Sequence, residues 1–189
     1  MQTEVKDDAT QTLVAVVVTY NRLDHLRKTI ARLLETPADM LMAVIVVDNA
    51  STDGTAAWLA SLSDARPVVL ATQMHTGGAG GFESGMREAV ARFDPDWIVV
   101  MDDDGRPAHG ALRAFHATER SNCDAIAAAV YFPSGEICEM NRPSRNPFWH
   151  PKLFIRTLFG GGRGAFHIPP QAYSEEPIPV DIASFVGLF

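Results

Sequence analysis

Long hydrophobic runs are missing from this sequence. The longest uninterrupted apolar stretches, Met40 to Val47 and Ala125 to Phe132, are eight residues each, whereas a helix that crosses a membrane needs roughly 20. The opening MQTEVKDDAT is polar and acidic and lacks the apolar core of a secretory leader. Cysteine is scarce. Cys123 and Cys138 alone make neither a disulfide framework nor a zinc cluster, and a reducing cytoplasm is the expected compartment. Positive charge is also in deficit. With 16 basic and 23 acidic side chains the formal charge is −7, which argues against nucleic acid as a partner, because phosphate contacts need Lys and Arg.

What is present suffices for a packed domain. At 189 residues and 47% hydrophobic, the chain can bury a sizeable core without staples, and one domain is expected. Its charge is uneven: residues 1–141 carry 11 basic and 20 acidic side chains, whereas 142–163 hold Arg142, Arg145, Lys152, Arg156 and Arg163 and no acid. Eight of the 12 prolines and 10 of the 16 aromatics lie at or beyond Tyr131. These shifts divide the chain into a flexible tail over 1–12, a regular α/β core over 13–130 and a proline- and aromatic-rich basic segment over 131–189. Residues 142–163 read either as a solvated loop or as a surface that meets a lipid-linked phosphate or an anionic membrane from the cytoplasmic side. The chain closes on Ser184-Phe185-Val186-Gly187-Leu188-Phe189, an apolar run that reads like a strand interior. Chain ends usually fray in solvent, so a C-terminally truncated piece is expected.

Within 13–130, short apolar runs alternate with helical periodicity. Leu13 to Val18, β-branched and short, reads as a buried strand, and Ala43 to Val47, Val68 to Leu70 and Trp97 to Met101 read as further strands, with Ala125 to Val130 as a fifth. Leu23, Leu26, Ile30, Leu33 and Leu34 mark one helix face, and Phe82, Met86, Val90 and Phe93 another. The alternation predicts a Rossmann-like, mostly parallel sheet flanked by helices. In such sheets ligands bind beyond the C-terminal ends of the strands.

The expected strand ends carry Thr19-Tyr20-Asn21-Arg22, Asp48-Asn49-Ala50-Ser51, the segment Gln73 to Gly81, and Asp102-Asp103-Asp104. Asn21 and Asp53 read either as site residues or as helix caps, and Asp48-Asn49 either as site residues or as an Asx turn. The three adjacent carboxylates repel one another, with nothing basic shortly before them in sequence. Either they form a solvated acidic turn or a hard divalent cation relieves the repulsion. On an extended segment Asp102 and Asp104 would lie on one side. The glycines of His75-Thr76-Gly77-Gly78-Ala79-Gly80-Gly81-Phe82 fit neither the P-loop nor the Rossmann spacing. They form either a flexible turn or a place where a ligand comes close to the backbone.

Taken in order, Val16 to Arg22, Val46 to Thr55, the glycine run and Asp102-Asp103-Asp104 resemble the family 2 glycosyltransferases of GT-A fold, across roughly residues 13–120. The glycine run followed by Phe82 and Gly85-Met86-Arg87 looks most like the branch of bacterial galactofuranosyl- and rhamnosyltransferases. The resemblance implies a nucleotide-diphosphate-sugar donor of the UDP-galactofuranose or dTDP-rhamnose type, a glycan or polyprenyl-linked acceptor, Mn²⁺ or Mg²⁺, and transfer with inversion. It also implies that Thr19, Tyr20, Asn21 and Arg22 line the nucleotide pocket and that Asp48, with Asn49 beside it, meets the pyrimidine ring. Gly77, Gly78, Gly80, Gly81 and Arg87 would flank the nucleotide or its ribose. Asp102 and Asp103 would join them, and Asp102 and Asp104 would hold the metal. In related enzymes the general base for the acceptor hydroxyl comes from a later segment, expected here beyond Phe189. Glu175, Glu176 and Asp181 are the late acids within the chain, and His150 and His167 the late histidines. Residues 131–189 would then begin the acceptor-binding half.

Two other readings compete. Val100-Met101-Asp102-Asp103-Asp104-Gly105 also mimics the Asp-x-Asp motif of haloacid dehalogenase-like phosphohydrolases, which would form an aspartyl-phosphate at Asp102. A nucleotide-binding module without turnover is the non-enzymatic reading.

Overall fold

The computed structural model describes residues 11–120, 123–173 and 176–189. The chain forms two compact units, one running through Asp124 and including Phe189, the other spanning Ala125–Leu188.

The first unit alternates strand and helix: β1 (Leu13–Thr19), α1 (Leu23–Leu34), β2 (Ala43–Asp48), α2 (Thr55–Ala60), β3 (Pro67–Ala71), α3 (Gly77–Phe93), β4 (Trp97–Asp102) and α4 (Ala111–Ala117). The four strands form one parallel sheet in the order β3-β2-β1-β4. β1 and β2 are buried along their whole length, which is why both read as unbroken Val/Ile/Leu runs rather than as alternating patterns. α1 turns Leu26, Thr29, Ile30 and Leu33 to the core. The chain leaves β1 toward β2 on one side and returns to β4 on the other. The crevice between β1 and β4 is therefore the switch point where an α/β sheet opens a site. The register places Thr19 opposite Asp48 and Val18 opposite Asp102, so the polar ends finish at one level.

The glycine run is helix rather than turn. α3 begins at Gly77, whose φ of +76° suits glycine. Gly81 and Gly85, one helical turn apart, let α3 lie against the sheet. A Cβ on Gly81 would sit 2.7 Å from Val18 Cγ1, and one on Gly85 would overlap Val16 and lie 2.9 Å from Val47 Cγ2. Two of the glycines therefore serve helix–sheet packing.

Residues 1–10 of the expected tail lie outside the described residues. Gln11 and Thr12 are fastened: the Trp97 indole donates to Gln11 Oε1 (3.0 Å) and the Thr12 N–H to Asp96 Oδ2 (2.9 Å).

The expected fifth strand, Ala125 to Val130, does not form. It belongs to the second unit, where Ala127 makes a single antiparallel bridge to Leu188 and the neighbouring Tyr131 one to Ile137. Three alanines in a row lack the β-branched bulk that holds a pleated surface. Nor is the closing run a strand, and Phe189 stacks on Phe115 with ring centroids 4.1 Å apart. The second unit is knit by single bridges around buried Ser144, which pairs with both His167 and Ile182. Its described residues include a short α-helix, α5 (Pro151–Arg156), which runs into a wide turn over Thr157–Gly161. No helix among the described residues is long and apolar enough to cross a membrane.

Candidate functional site

A cavity of about 250 Å³ opens at the β1/β4 switch point, lined by Val18, Tyr20, Arg22, Asn49, His75, Gly78, Asp102 and Asp103. Each element delivers one part of it. β1 ends in Thr19 and hands over to Tyr20 and Arg22. β2 hands over to Asn49, the first turn of α3 supplies Gly78, and β4 ends in Asp102. The Tyr20 and His75 rings meet edge to face, with centroids 4.3 Å apart. His75 is a lining residue to which the sequence assigned no role of its own, and its place in the glycine segment was the only signal.

The acidic triplet is not an extended segment. The Gly105 N–H donates to the Asp102 carbonyl (3.0 Å), so Asp103 and Asp104 form the middle of a turn, and strand alternation does not set their sides. Its charge is also already balanced in part. Arg22, far upstream in sequence, places Nη1 3.2 Å from Asp103 Oδ1 and 2.6 Å from Asp104 Oδ2. Both carboxylates hold the Arg22 guanidinium above its ordinary pKa. Asp103 is buried, and its Oδ2 accepts from the Thr19 hydroxyl (2.8 Å). Thr29 on α1 donates to the Asp103 carbonyl (2.6 Å). A buried threonine on the apolar face of α1 was the signal for that tie. Asp103 thus lines the cavity with both carboxylate oxygens engaged.

Asp102 differs. No hydrogen bond from the described residues reaches its carboxylate, and burial, with the neighbouring Asp104 and Asp103 charges adding, pushes its pKa above the usual carboxylate range. That is the electrostatic position of a carboxylate awaiting a cation. Among the described residues no three His, Cys, Asp or Glu side chains converge on one point. Asp102 lines the cavity, whereas Asp104 does not and is paired with Arg22. Two carboxylates of one turn are hard oxygen donors of the kind Mg²⁺ or Mn²⁺ takes when water and phosphate oxygens complete the shell.

Asn49 is buried, and both ends of its amide are engaged. Its Nδ2 donates to the Gly77 carbonyl (3.0 Å), and its Oδ1 accepts from the Thr76 N–H (2.9 Å) and lies 3.2 Å from the Thr72 and Thr76 hydroxyls. It brackets the loop that leads into α3. Asp48 closes the loop after β2 instead, Oδ1 accepting from the Ser51 N–H three residues on (3.0 Å), and it does not line the cavity. Asn21 is no cap of α1. With φ +52° it directs Oδ1 to the Thr52 N–H (2.7 Å), while its own N–H donates to Ser51 Oγ. Asp53 does cap: Oδ2 accepts from the Leu23 N–H at the start of α1, and Oδ1 from the Thr55 N–H and hydroxyl at the start of α2. The Thr55 hydrogen bond chiefly holds the Asp53 pKa low.

The structure does not bring every expected residue to the cavity. Arg87 points to solvent two positions after sheet-facing Gly85 and pairs with Glu83 (2.9 Å). Gly80 meets the Thr76 side chain, and Gly81 packs on Val18. Gly77 sets the helix start, leaving Gly78 as the glycine on the cavity wall. Of the late acids, Glu175 lies outside the described residues. Asp181 accepts from the Asn146 N–H and from His150 Nε2, both 2.8 Å, inside the second unit. These bonds, the backbone one first, hold its pKa low. His167 lines a second cavity there, with Arg145, Leu153 and Phe166.

The glycosyl transferase family 2 sequence profile matches residues 14–173. The chain belongs to glycosyl transferase family 2. It is 37% identical to galactofuranosyltransferase GlfT1 of Mycolicibacterium smegmatis over 146 residues, covering 74% of this chain and 43% of that protein. It is 27% identical over 150 residues to the undecaprenyl-phosphate mannosyltransferase of Micrococcus luteus, covering 78% of this chain and 60% of that one. The chain thus spans less than half of the galactofuranosyltransferases it matches. Among solved structures it is similar to the mannosyltransferase PcManGT of Pyrobaculum calidifontis in complex with GDP-Man and Mn²⁺, at 26% identity and TM-score 0.55, covering 69% of this chain and 39% of that one. It shares its fold with S. aureus TarS 1–349 in complex with UDP-GlcNAc, at 16% identity and TM-score 0.59, covering 76% and 43% of the two chains. The fold is that of the GT-A glycosyltransferases. Family membership sets aside the phosphohydrolase reading.

Proposed function

We propose that this chain carries the donor-binding part of an inverting, metal-dependent glycosyltransferase. It would take a sugar from a nucleotide diphosphate of the UDP-galactofuranose or dTDP-rhamnose type to a glycan or polyprenyl-linked acceptor. The observation that carries this reading is the cavity at the β1/β4 switch point, whose wall is shared by the first turn of α3 and by Asp102, a carboxylate that no hydrogen bond from the described residues reaches. The N-terminus of a 17-residue helix lies there, with the Gly77 N–H donating to His75 Nδ1, and the positive end of the helix dipole suits a diphosphate. Tyr20 and His75 offer ring surface for a base. Asp102 and Asp104 would hold Mn²⁺ or Mg²⁺, which supplies Lewis-acid stabilisation of the departing diphosphate. The family likeness, and a relative described with GDP-Man and Mn²⁺, support the donor class and the metal.

The chain's own residues would orient the donor and balance its charge. Arg22 is the cation nearest the acidic turn, and Thr19 with Thr29 keeps that turn fixed on β1 and α1. Titration calorimetry with UDP and dTDP, each with and without Mn²⁺, tests the reading. One of them should bind only with metal, and Asp104→Ala should weaken that binding at least about tenfold, the loss of roughly one charge-assisted contact. Absence of metal-dependent binding with both nucleotides would overturn it.

A further inference from the structure

We propose that the segment from Phe148 to Phe159 is a docking surface for a bilayer containing anionic phospholipid. Phe148 is 81% exposed, Trp149 67%, Leu158 65% and Phe159 87%, with Phe154 and Ile155 exposed beside them. These side chains are not core residues left uncovered by a poor fit. α5 turns Leu153 inward to the cavity it shares with Phe166 and Ile168, whereas Phe154, Ile155 and Leu158, one, three and four positions apart, share the outward arc. The Phe148 and Phe154 rings lie 5.8 Å apart, so the apolar surface continues from the preceding turn onto the helix. Contiguous apolar patches of this kind mark interaction sites on soluble domains.

The occupant follows from charge. Lys152 and Arg156 sit four apart on α5, both exposed, within a stretch over 142–163 that has five basic residues and no acid in a chain of net −7, although Arg142 is taken up by Glu139. An apolar partner alone would give no reason for a cationic island in an acidic protein. An anionic bilayer satisfies both halves. Aromatic rings settle at the headgroup level, and Lys and Arg reach lipid phosphates while their stems stay in the apolar layer. The inference goes beyond the donor reading and does not depend on it, because the segment belongs to the second unit and the donor cavity to the first.

Vesicle flotation of the full chain tests it. Binding to vesicles of about one-third phosphatidylglycerol in phosphatidylcholine should exceed binding to phosphatidylcholine alone at least about tenfold, and should fall as salt rises. Each basic residue near an anionic surface contributes about fivefold, so Lys152→Glu with Arg156→Glu should weaken binding by more than about twentyfold. Trp149→Ser with Phe159→Ser should also weaken it, with nucleotide binding unchanged in both pairs. Tryptophan fluorescence of the unaltered protein, to which Trp58 and Trp97 also contribute, should be partly quenched by bromine-labelled lipid, and Trp149→Phe should remove that quenching. Absence of quenching and flotation, or equal binding to neutral and anionic vesicles, overturns the proposal. So does a dimer in sedimentation velocity that Phe159→Ser disperses while vesicles are ignored, because a second copy then covers the patch.

Discussion

Replacing glycine by alanine at two positions of α3, Gly78 and Gly85, should have opposite effects. At Gly78 an added methyl meets nothing within 4 Å, and its φ is not in the left-handed region. Alanine there narrows the unfolded ensemble and suits the helix, worth about 0.4–1 kcal/mol of stability. For a chain of this size that raises Tm by roughly 1–4 °C. The same methyl stands on the cavity wall, where Gly78 now allows a ligand up to the helix backbone. Holding a phosphate oxygen off one N–H forfeits about 1–2 kcal/mol, or about 5- to 30-fold in nucleotide affinity. At Gly85 the methyl would overlap Val16 and crowd Val47. Overpacking a tight helix–sheet contact costs about 1–3 kcal/mol, with a lower Tm. Thermal unfolding paired with nucleotide titration for Gly78→Ala, Gly85→Ala and the unaltered chain reads both axes. A lower Tm for Gly78→Ala would refute the open-space argument, and an unaltered nucleotide affinity the assignment of Gly78 to the ligand wall. A neutral Gly85→Ala would refute the packing argument.

Other substitutions isolate single supports. Asn49→Ala leaves the Gly77 carbonyl and the Thr76 N–H without their partner, which should cost about 2–3 kcal/mol. It should also increase hydrogen exchange across 72–77, and unchanged exchange there would contradict the bracket role. Thr19→Val removes the hydroxyl that Asp103 uses in the buried interior and should cost about 1–3 kcal/mol by denaturant unfolding. In Asp64, hydrogen bonds from Arg66 hold the carboxyl down at about 2, below its ordinary 3.8. That contribution to stability is fully present above pH ~4 and is lost as pH falls toward 2. The stability gap between the unaltered chain and Arg66→Gln should therefore narrow over that window, and a gap constant from pH 6 to 2 would remove the ion pair from the account.

The sheet was legible because its strands are short and β-branched and its two central ones, β1 and β2, are buried on both faces, a pattern no amphipathic helix gives. β1, β2 and β4 lie where the apolar runs lie, and the site followed from their polar ends. Arg22 was not legible as the counterion of Asp103 and Asp104, because only the fold brings the β1 and β4 ends together. The glycine run was misread for a related reason. A turn and a glycine-rich helix have the same composition, and only the four-residue step from Gly81 to Gly85 carries the helical sign. Ala125 to Val130 shows the converse: apolar content alone does not make a strand without a partner of matching length.

Asp53 holds Leu23 with one oxygen and Thr55 with the other, while Asn21 and Ser51-Thr52 exchange three bonds between the same two loops. The segments 20–23 and 50–55 are therefore one mechanical piece, although a whole helix and strand separate them in the chain. Anyone transplanting donor preference between relatives by exchanging loops would have to move both together. A graft of either alone would strand two helix starts at once, and the loss would register as misfolding before it could be read as altered specificity.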